Sequence, residues 1–357
     1  MGKNKNIVAV QMKEIAEKLG VSPGTVSIVL NDRGDQMRIS QTTQKRIRDM
    51  AKEMNYQPNI YARRLRKSAN EEAPYIIAIF WREEYLDELL GRFLKGLYHT
   101  IKQNNLNIEL VLQPYDFGNL KRYRNSMNSN HFNGAMIGGC SNEDQLFLEQ
   151  NEFDIPVILI GRSTEKYNGV LIDYYTTGEL CVKLFYERQH KIVGLVGLAK
   201  KGKSVQLIEQ AFIEACKKKG LRIDTDDITY CENRDFESGY QSTMNILSKE
   251  VKPTALFVMD GRNVGGVLKA CKMVGLNVPK DLELLVFGEN EFFDYSEPPL
   301  TTIQQPMEQF AEISLHRMLV LIKDKAELPI VKELQPIFHF RESCGGFNEG
   351  INEREGN

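Results

Sequence analysis

Four cations, Arg63, Arg64, Arg66 and Lys67, crowd around one leucine, Leu65, within the nine residues 59–67. Cations at that density suit the phosphates of a nucleic acid. Nine residues are too few to hold a helix alone in water. A helix formed only on DNA would set the cations near phosphates and let Leu65 wedge between base pairs in the minor groove. A solvated basic linker is the other reading of the same residues. Upstream, a helix beginning at Pro23 would offer Ser22, Pro23, Gly24, Thr25, Ser27 and Ile28 to base edges in the major groove. The set is poor in long polar side chains. No Arg is placed to grip guanine, and Asn31 at the far end is the one residue suited to adenine. Ile28 can only touch a thymine methyl or pack sterically, so base reading must be shared with other elements.

Catalytic chemistry finds no comparable set. Gly194-Leu195-Val196-Gly197 followed by Lys200–Ser204 superficially resembles a phosphate loop, but the glycine spacing does not fit GxxxxGK[ST]. No GxSxG or HExxH occurs, and the five histidines show no ligand spacing. The six cysteines, Cys140, Cys181, Cys216, Cys231, Cys271 and Cys344, have neither finger nor redox spacing. They read as buried reduced thiols. The expectation is a non-enzyme with no metal and no cofactor.

Helical periodicity supplies the elements that would position the basic residues. Met12, Ile15, Ala16 and Leu19 share one helical face, and Gly20 breaks the helix. Ser22-Pro23 then gives an N-cap and a first-turn proline, and Val26, Val29 and Leu30 form the next apolar face. Two short helices about a glycine turn are the helix-turn-helix plan. Ser40 is the candidate cap of a third helix with Ile47, Met50, Ala51 and Met54 inside. Charge is split to match: residues 1–68 carry +8 and the remainder -10, within a net -2 over 357 residues. A polyanion is the obvious partner for the head.

Beyond Glu71-Glu72-Ala73-Pro74, apolar runs alternate with helical stretches: 75–80, 108–113, 134–138, 157–161, 192–197, 255–259 and 284–287 read as strands, and 89–104 as a helix. This alternation predicts doubly wound parallel sheets, in two lobes at this length, with ligands beyond the carboxyl ends of the strands. No apolar stretch approaches the ~20 residues of a membrane span. No secretory signal is evident in the first thirty residues. A cytoplasmic protein is expected.

The run Met12–Ser27, with Val29-Leu30-Asn31, Asn55–Asn59, Ala62 and Leu65, closely resembles the headpiece of the lactose-repressor (LacI) family. The stretches 155–160, 253–258, 275–281 and 298–306 resemble the family's periplasmic-binding-protein-like core. The resemblance implies a headpiece over 1–58, a hinge helix over 59–68 and a two-lobed effector and dimerisation core over 75–345. A polar tail, 346–357, follows. It lacks apolar heptads, so a homodimer is expected over a tetramer. The resemblance further implies a repressor of transcription that binds operator DNA and answers to a small, often carbohydrate-derived effector. In this reading Asn59 starts the hinge helix, Leu65 is the wedge, and Pro23, Gly24 and Ile28 set operator preference. The full DNA-binding set is Met12, Lys13, Ser22, Pro23, Gly24, Thr25, Ser27, Ile28, Asn31, Arg38, Ser40, Thr43, Tyr56, Asn59, Ala62, Leu65 and Arg66. Two departures stand out. Position 28 is often polar in the family but Ile here, and the loop 32–38 looks longer than usual, which gives Arg38 a different reach.

The core departs further. Sugar-binding members usually carry Asp at the position of Gly161, Arg at Ile208, Asn at Met259 and Asp at Gly288. Four hydroxyl-binding groups are thus missing, each unpaired buried group being worth about 1–3 kcal/mol. The remaining candidates for the cleft are Trp81, Arg82, Arg162, Asp173, Tyr174, Phe236, Asp260 and Glu289, with Trp81 a stacking face. The effector is then expected to be less hydroxylated, anionic and held by Arg82 and Arg162, or absent. Lobe crossings are expected near 161–163, 290–293 and 322–324. A solute-binding protein would need a secretory signal and no basic head. An α/β enzyme with a DNA-binding head would need the missing catalytic set.

Overall fold

The structure is a computed structural model that describes residues 12–30, 34–54, 73–86, 88–324 and 328–345. The head holds α1 (Met12–Leu19), α2 (Pro23–Leu30) and α3 (Gln41–Glu53). Its core is Ile15, Ala16, Val26, Val29, Ile47 and Ala51, all buried. Ser22 Oγ accepts the Thr25 amide at 3.0 Å, so the chain reverses at Gly20 and re-enters helix at Pro23. Ser40 Oγ accepts the Thr43 amide at 3.2 Å and starts α3 in the same way. Between α2 and α3, Asp35 accepts from Gln41 at 2.6 Å and from the buried Gln44 at 2.8 Å, which pins the loop. Arg38 is exposed there at φ 54°.

The rest is two six-stranded sheets. The first has the order β11 (Val331–Leu334), β5 (Asn168–Ile172), β4 (Val157–Ile160), β3 (Gly134–Gly138), β1 (Tyr75–Arg82), β2 (Ile108–Tyr115), and every pairing is parallel. The second runs β12 (Ile337–His339), β10 (Thr301–Gln304), β9 (Glu283–Phe287), β8 (Ala255–Val258), β6 (Val193–Leu198), β7 (Ile228–Cys231). Only β12 is antiparallel, against β10. Of the apolar runs read from the sequence, 108–113 is the partly exposed edge strand β2, and the others are central strands, buried on both faces as parallel strands under helices must be. Helices α4 (Glu88–Gln103), α5 (Asn142–Gln150) and α10 (Met307–Lys323) accompany the first sheet. Helices α6 (Tyr174–Glu187), α7 (Lys203–Lys219), α8 (Phe236–Leu247) and α9 (Val264–Met273) accompany the second. Among the described residues no helix is long and apolar enough to cross a membrane.

The chain passes between the lobes at Asp173, between β5 and α6; at Gln305-Pro306, between β10 and α10; and at Gln335-Pro336, between β11 and β12. None of these is where the sequence reading put it. Residues 161–163 join β4 to β5 inside lobe one. Residues 290–293 follow β9 inside lobe two, and 322–324 end α10. The reason is that β5, β10, β11 and β12 carry weak local signals, and each crossing hangs on one of them.

Candidate functional site

In the head, Ser22, Pro23, Gly24, Arg38 and Ser40 are exposed, Met12, Thr25, Ile28 and Thr43 partly so, and Lys13 is open to solvent. Ser22 and Thr25 share a hydroxyl hydrogen bond of 2.9 Å, so both sit at the α2 start with their oxygens already engaged. Ser27 is the exception. It is 7% exposed and faces inward, because its position on α2 lies beside Val26 and Val29 against the core, so it does not join the outer set. Asn31, Tyr56, Asn59, Ala62, Leu65 and Arg66, with the hinge helix and the tail, lie outside the described residues.

A cleft of about 430 Å³ lies between the lobes. It opens at the carboxyl ends of the strands of both sheets, where ligands of such sheets sit. Lobe one contributes Trp81 from β1, Gly139 after β3, and Ile160, Gly161 and Arg162 from the end of β4. Lobe two contributes Leu198 from β6, Ser204 and Val205 from the start of α7, Met259 and Asp260 after β8, Phe287 at the end of β9, and Gly288 and Glu289 after it.

Of the expected cleft residues, Trp81, Arg162, Tyr174, Asp260 and Glu289 line this cavity. Trp81 is 3% exposed, tilted on Phe93 at 5.1 Å, and donates from Nε1 to the Tyr85 carbonyl at 2.8 Å, so it is a wall element more than a free stacking face. Tyr174 donates to the Gly161 carbonyl at 3.1 Å, and burial pushes its hydroxyl well above the ordinary phenol range against the pull of the Arg162 charge. Glu289 pairs with Arg341 at 2.8 Å.

The other three do not line it. Arg82 points behind the wall, 3% exposed, its guanidinium 3.8 Å from the Phe117 ring and 2.5 Å from Glu84. Asp173 is spent as the N-cap of α6, accepting the Thr176 amide at 2.9 Å. Phe236 opens α8, half exposed, outside the cleft. Ile208 also lies outside it, fully buried in the core.

Sequence reasoning missed Tyr85, Glu88, Arg92, Ser204, Arg234 and Arg262, all of which line the cleft. Arg234 and Arg262, from lobe two, reach across to lobe one. Arg234 binds Glu84 at 3.0 Å and the Tyr85 hydroxyl at 3.0 Å, and Arg262 donates to the Glu84 carbonyl at 2.8 Å. Asp260 holds both arginines from their own side, at 3.1 Å and 2.7 Å. Three guanidinium groups, those of Arg82, Arg234 and Arg262, surround the Tyr85 ring at 4.8, 5.2 and 5.4 Å. Burial pushes the Glu84 carboxyl up, but the hydrogen bond from Arg82 and the charges of Arg82, Arg234 and Arg262 outweigh it and hold the group below its ordinary value.

All six cysteines are buried and unpaired. Among the described residues no group of His, Cys, Asp and Glu could hold a metal ion.

A helix-turn-helix head joined to a two-lobed core with an interlobe cleft defines a DNA-binding transcription regulator with a ligand-binding core. The comparisons agree. Residues 11–59 match the model for bacterial regulatory proteins of the lacI family, and residues 182–344 match a periplasmic binding protein-like domain. The chain is 25% identical over 330 residues to the HTH-type transcriptional regulator RegA of Clostridium saccharobutylicum, covering 90% of this chain and 95% of that one. It is 25% identical to the probable HTH-type transcriptional repressor ExuR of Bacillus subtilis, covering 88% of this chain and 92% of that one. A LacI family transcription regulator from Clostridium acetobutylicum superposes with TM-score 0.70 at 26% identity, over 75% of this chain and 99% of that one. The lac repressor dimer bound to operator and the anti-inducer ONPF shares the fold, with TM-score 0.67 at 20% identity over 94% of this chain and 99% of that one. The chain thus combines a lacI-family helix-turn-helix domain with a periplasmic binding protein-like domain.

Proposed function

We propose that the protein represses transcription as a cytoplasmic homodimer on operator DNA, and that a small effector seated between the lobes shifts its DNA-competent population. The observation that carries this reading is the presence in one chain of an exposed α2 start on a basic head and a cleft walled by both lobes. Two heads in a dimer match two half-sites of a pseudo-palindrome. In this reading Pro23, Gly24, Thr25 and Ile28 meet bases, Met12, Lys13, Ser22, Ser40 and Thr43 meet the backbone, and Leu65 wedges the minor groove. An effector that touches Trp81, Arg162 and Tyr174 from one wall and Asp260 and Glu289 from the other would favour one lobe angle, which is the differential affinity a switch needs. Binding without turnover is the reading of the core, supported by the absence of a catalytic constellation in the sequence.

The test is selection of bound DNA from a random pool, followed by anisotropy with Leu65→Ala. A palindromic consensus is expected. The variant should lose most specific binding and keep salt-dependent nonspecific binding. Unchanged operator affinity in Leu65→Ala would remove the wedge, and a pool without consensus would remove the repressor reading.

A further inference from the structure

The cations of the cleft are not equivalent. Arg92 is met by Glu308 at 2.6 Å, Arg234 by Asp260 and Glu84, and Arg262 by Asp260. Arg162 has no such partner. It is 7% exposed, and its Nη1 donates only to neutral amides, Asn142 Oδ1 at 3.2 Å and Gln145 Oε1 at 2.6 Å. Among the described residues no carboxylate lies within ion-pair distance of it. Its Nε and Nη2 make no hydrogen bond among those residues. A buried cation without a counter-charge costs several kcal/mol in folding, so its presence points to an anion that arrives from outside.

The opposite wall has the same polarity. Helix α7 runs 17 residues from Lys203 and no side chain caps its start at Gly202. Its first-turn amides and the helix dipole present positive charge to the cleft through Gly202, Ser204 and Val205. Arg162 Nη2 would stand 3.9 Å from a Cβ placed on Gly202, so the guanidinium of lobe one faces the helix start of lobe two directly. Around this point the walls are apolar: Trp81, Ile160, Leu198, Val205, Met259 and Phe287. Gly161, Met259 and Gly288 also line the cleft and add no hydrogen-bonding side chain to it.

We propose that the effector is a small monocarboxylate with an apolar body, its carboxylate clamped between Arg162 of lobe one and the start of α7 in lobe two. The free Nε–Nη2 edge of Arg162 is a planar fork that matches a carboxylate in two parallel hydrogen bonds. Because the anion takes one partner from each lobe, its binding pulls the lobes together. The assignment rests on the effector reading above and gives it a ligand class.

Benzoate serves as the probe, with benzamide, phenyl phosphate and a panel of neutral mono- and disaccharides beside it, each titrated into the full-length protein by calorimetry and thermal shift at matched ionic strength. Benzoate should bind at least about tenfold more tightly than benzamide, and Arg162→Met should abolish that difference. Arg162→Met should also leave the melting temperature of the unliganded protein unchanged or raised, since Asn142 is exposed and Gln145 partly so, and both regain water. Equal binding of benzoate and benzamide, or a clear fall in the unliganded melting temperature, overturns the proposal. So does a saccharide or phenyl phosphate binding more tightly than benzoate. The two readings fail separately. Benzoate bound through Arg162 with no effect on operator affinity would leave the anion site standing and count against the regulatory reading.

Discussion

Arg234 is one of the residues through which the lobes hold each other, beside Arg262, and replacing it should open the cleft. Two of its bonds are internal to lobe two, to Asp260 at 3.1 Å and to the Lys200 carbonyl at 3.3 Å, and these persist whether the lobes are together or apart. The bonds that exist only when they are together are those to Glu84 at 3.0 Å and to the Tyr85 hydroxyl at 3.0 Å, with the guanidinium 5.2 Å from the Tyr85 ring. The Glu84 side chain is 49% exposed, so its ion pair is screened and contributes about 0.2–1 kcal/mol. The hydrogen bond to Tyr85 adds about 0.5–1.5 kcal/mol and the ring contact about 0.5–1 kcal/mol. Together these give about 2 kcal/mol for Arg234→Met, a shift of about thirtyfold toward the open arrangement. Small-angle scattering of the unliganded protein should show a larger radius of gyration in the variant. A double-mutant cycle with Glu84→Gln should give effects that sum to less than their parts, because both substitutions remove one shared contact. Scattering curves that superimpose on the wild type, together with strictly additive effects, would refute the latch.

Two further outcomes follow from the same packing. Ser40→Ala removes the side chain that accepts the Thr43 amide, so the head should lose about 1 kcal/mol of stability, read by denaturant unfolding followed through helical circular dichroism. In lobe two, burial pushes the Glu283 carboxyl up, but hydrogen bonds from His190 and Arg188 and the Arg188 charge outweigh it and hold the group below its ordinary value. Its carboxylate therefore stabilises the fold above about pH 4.5, and the contribution is lost as pH falls through the lower folded value. The melting temperature of Glu283→Gln should accordingly fall less steeply in acid than that of the wild type, and parallel acid limbs would contradict this.

The parts of the fold legible in the sequence are those whose signal is local. The bounds of α1 and α2 follow from Gly20 and the Ser22-Pro23 pair, and that of α3 from Ser40, because caps and breakers act within one turn. The central strands are continuous apolar runs, buried on both faces. By contrast β11 is largely exposed, and pairs with β5 from about 160 residues away. No period or run marks such a strand, so the lobe crossing that follows it is not legible in the sequence. The cleft divides likewise. Trp81, Arg162, Asp260 and Glu289 are legible because each ends or follows a recognisable strand. Arg234 and Arg262 act on Glu84 and Tyr85, about 150 and 180 residues earlier, so only the folded sheets bring them together.

At Gly161 and Gly288, two positions where the sequence reading expects aspartate in sugar-binding relatives, the backbone itself resists a side chain. Gly288 sits at φ 115°, a conformation that an aspartate adopts only with strain. Gly161 sits at φ 75°, and a Cβ there would stand 3.1 Å from the Tyr174 hydroxyl, which itself donates to the Gly161 carbonyl. Restoring the carboxylate at 161 would therefore displace Tyr174, and with it the hydroxyl that Ser204 at the α7 start contacts. The polar groups that would bind a sugar and the groups that surround Arg162 compete for the same space. With Tyr174 and the uncompensated Arg162 filling this space, the anion site proposed above favours charge recognition over hydroxyl recognition. Reinstating one aspartate would add a carboxylate beside Arg162 and neutralise the anion site before it rebuilt a sugar pocket.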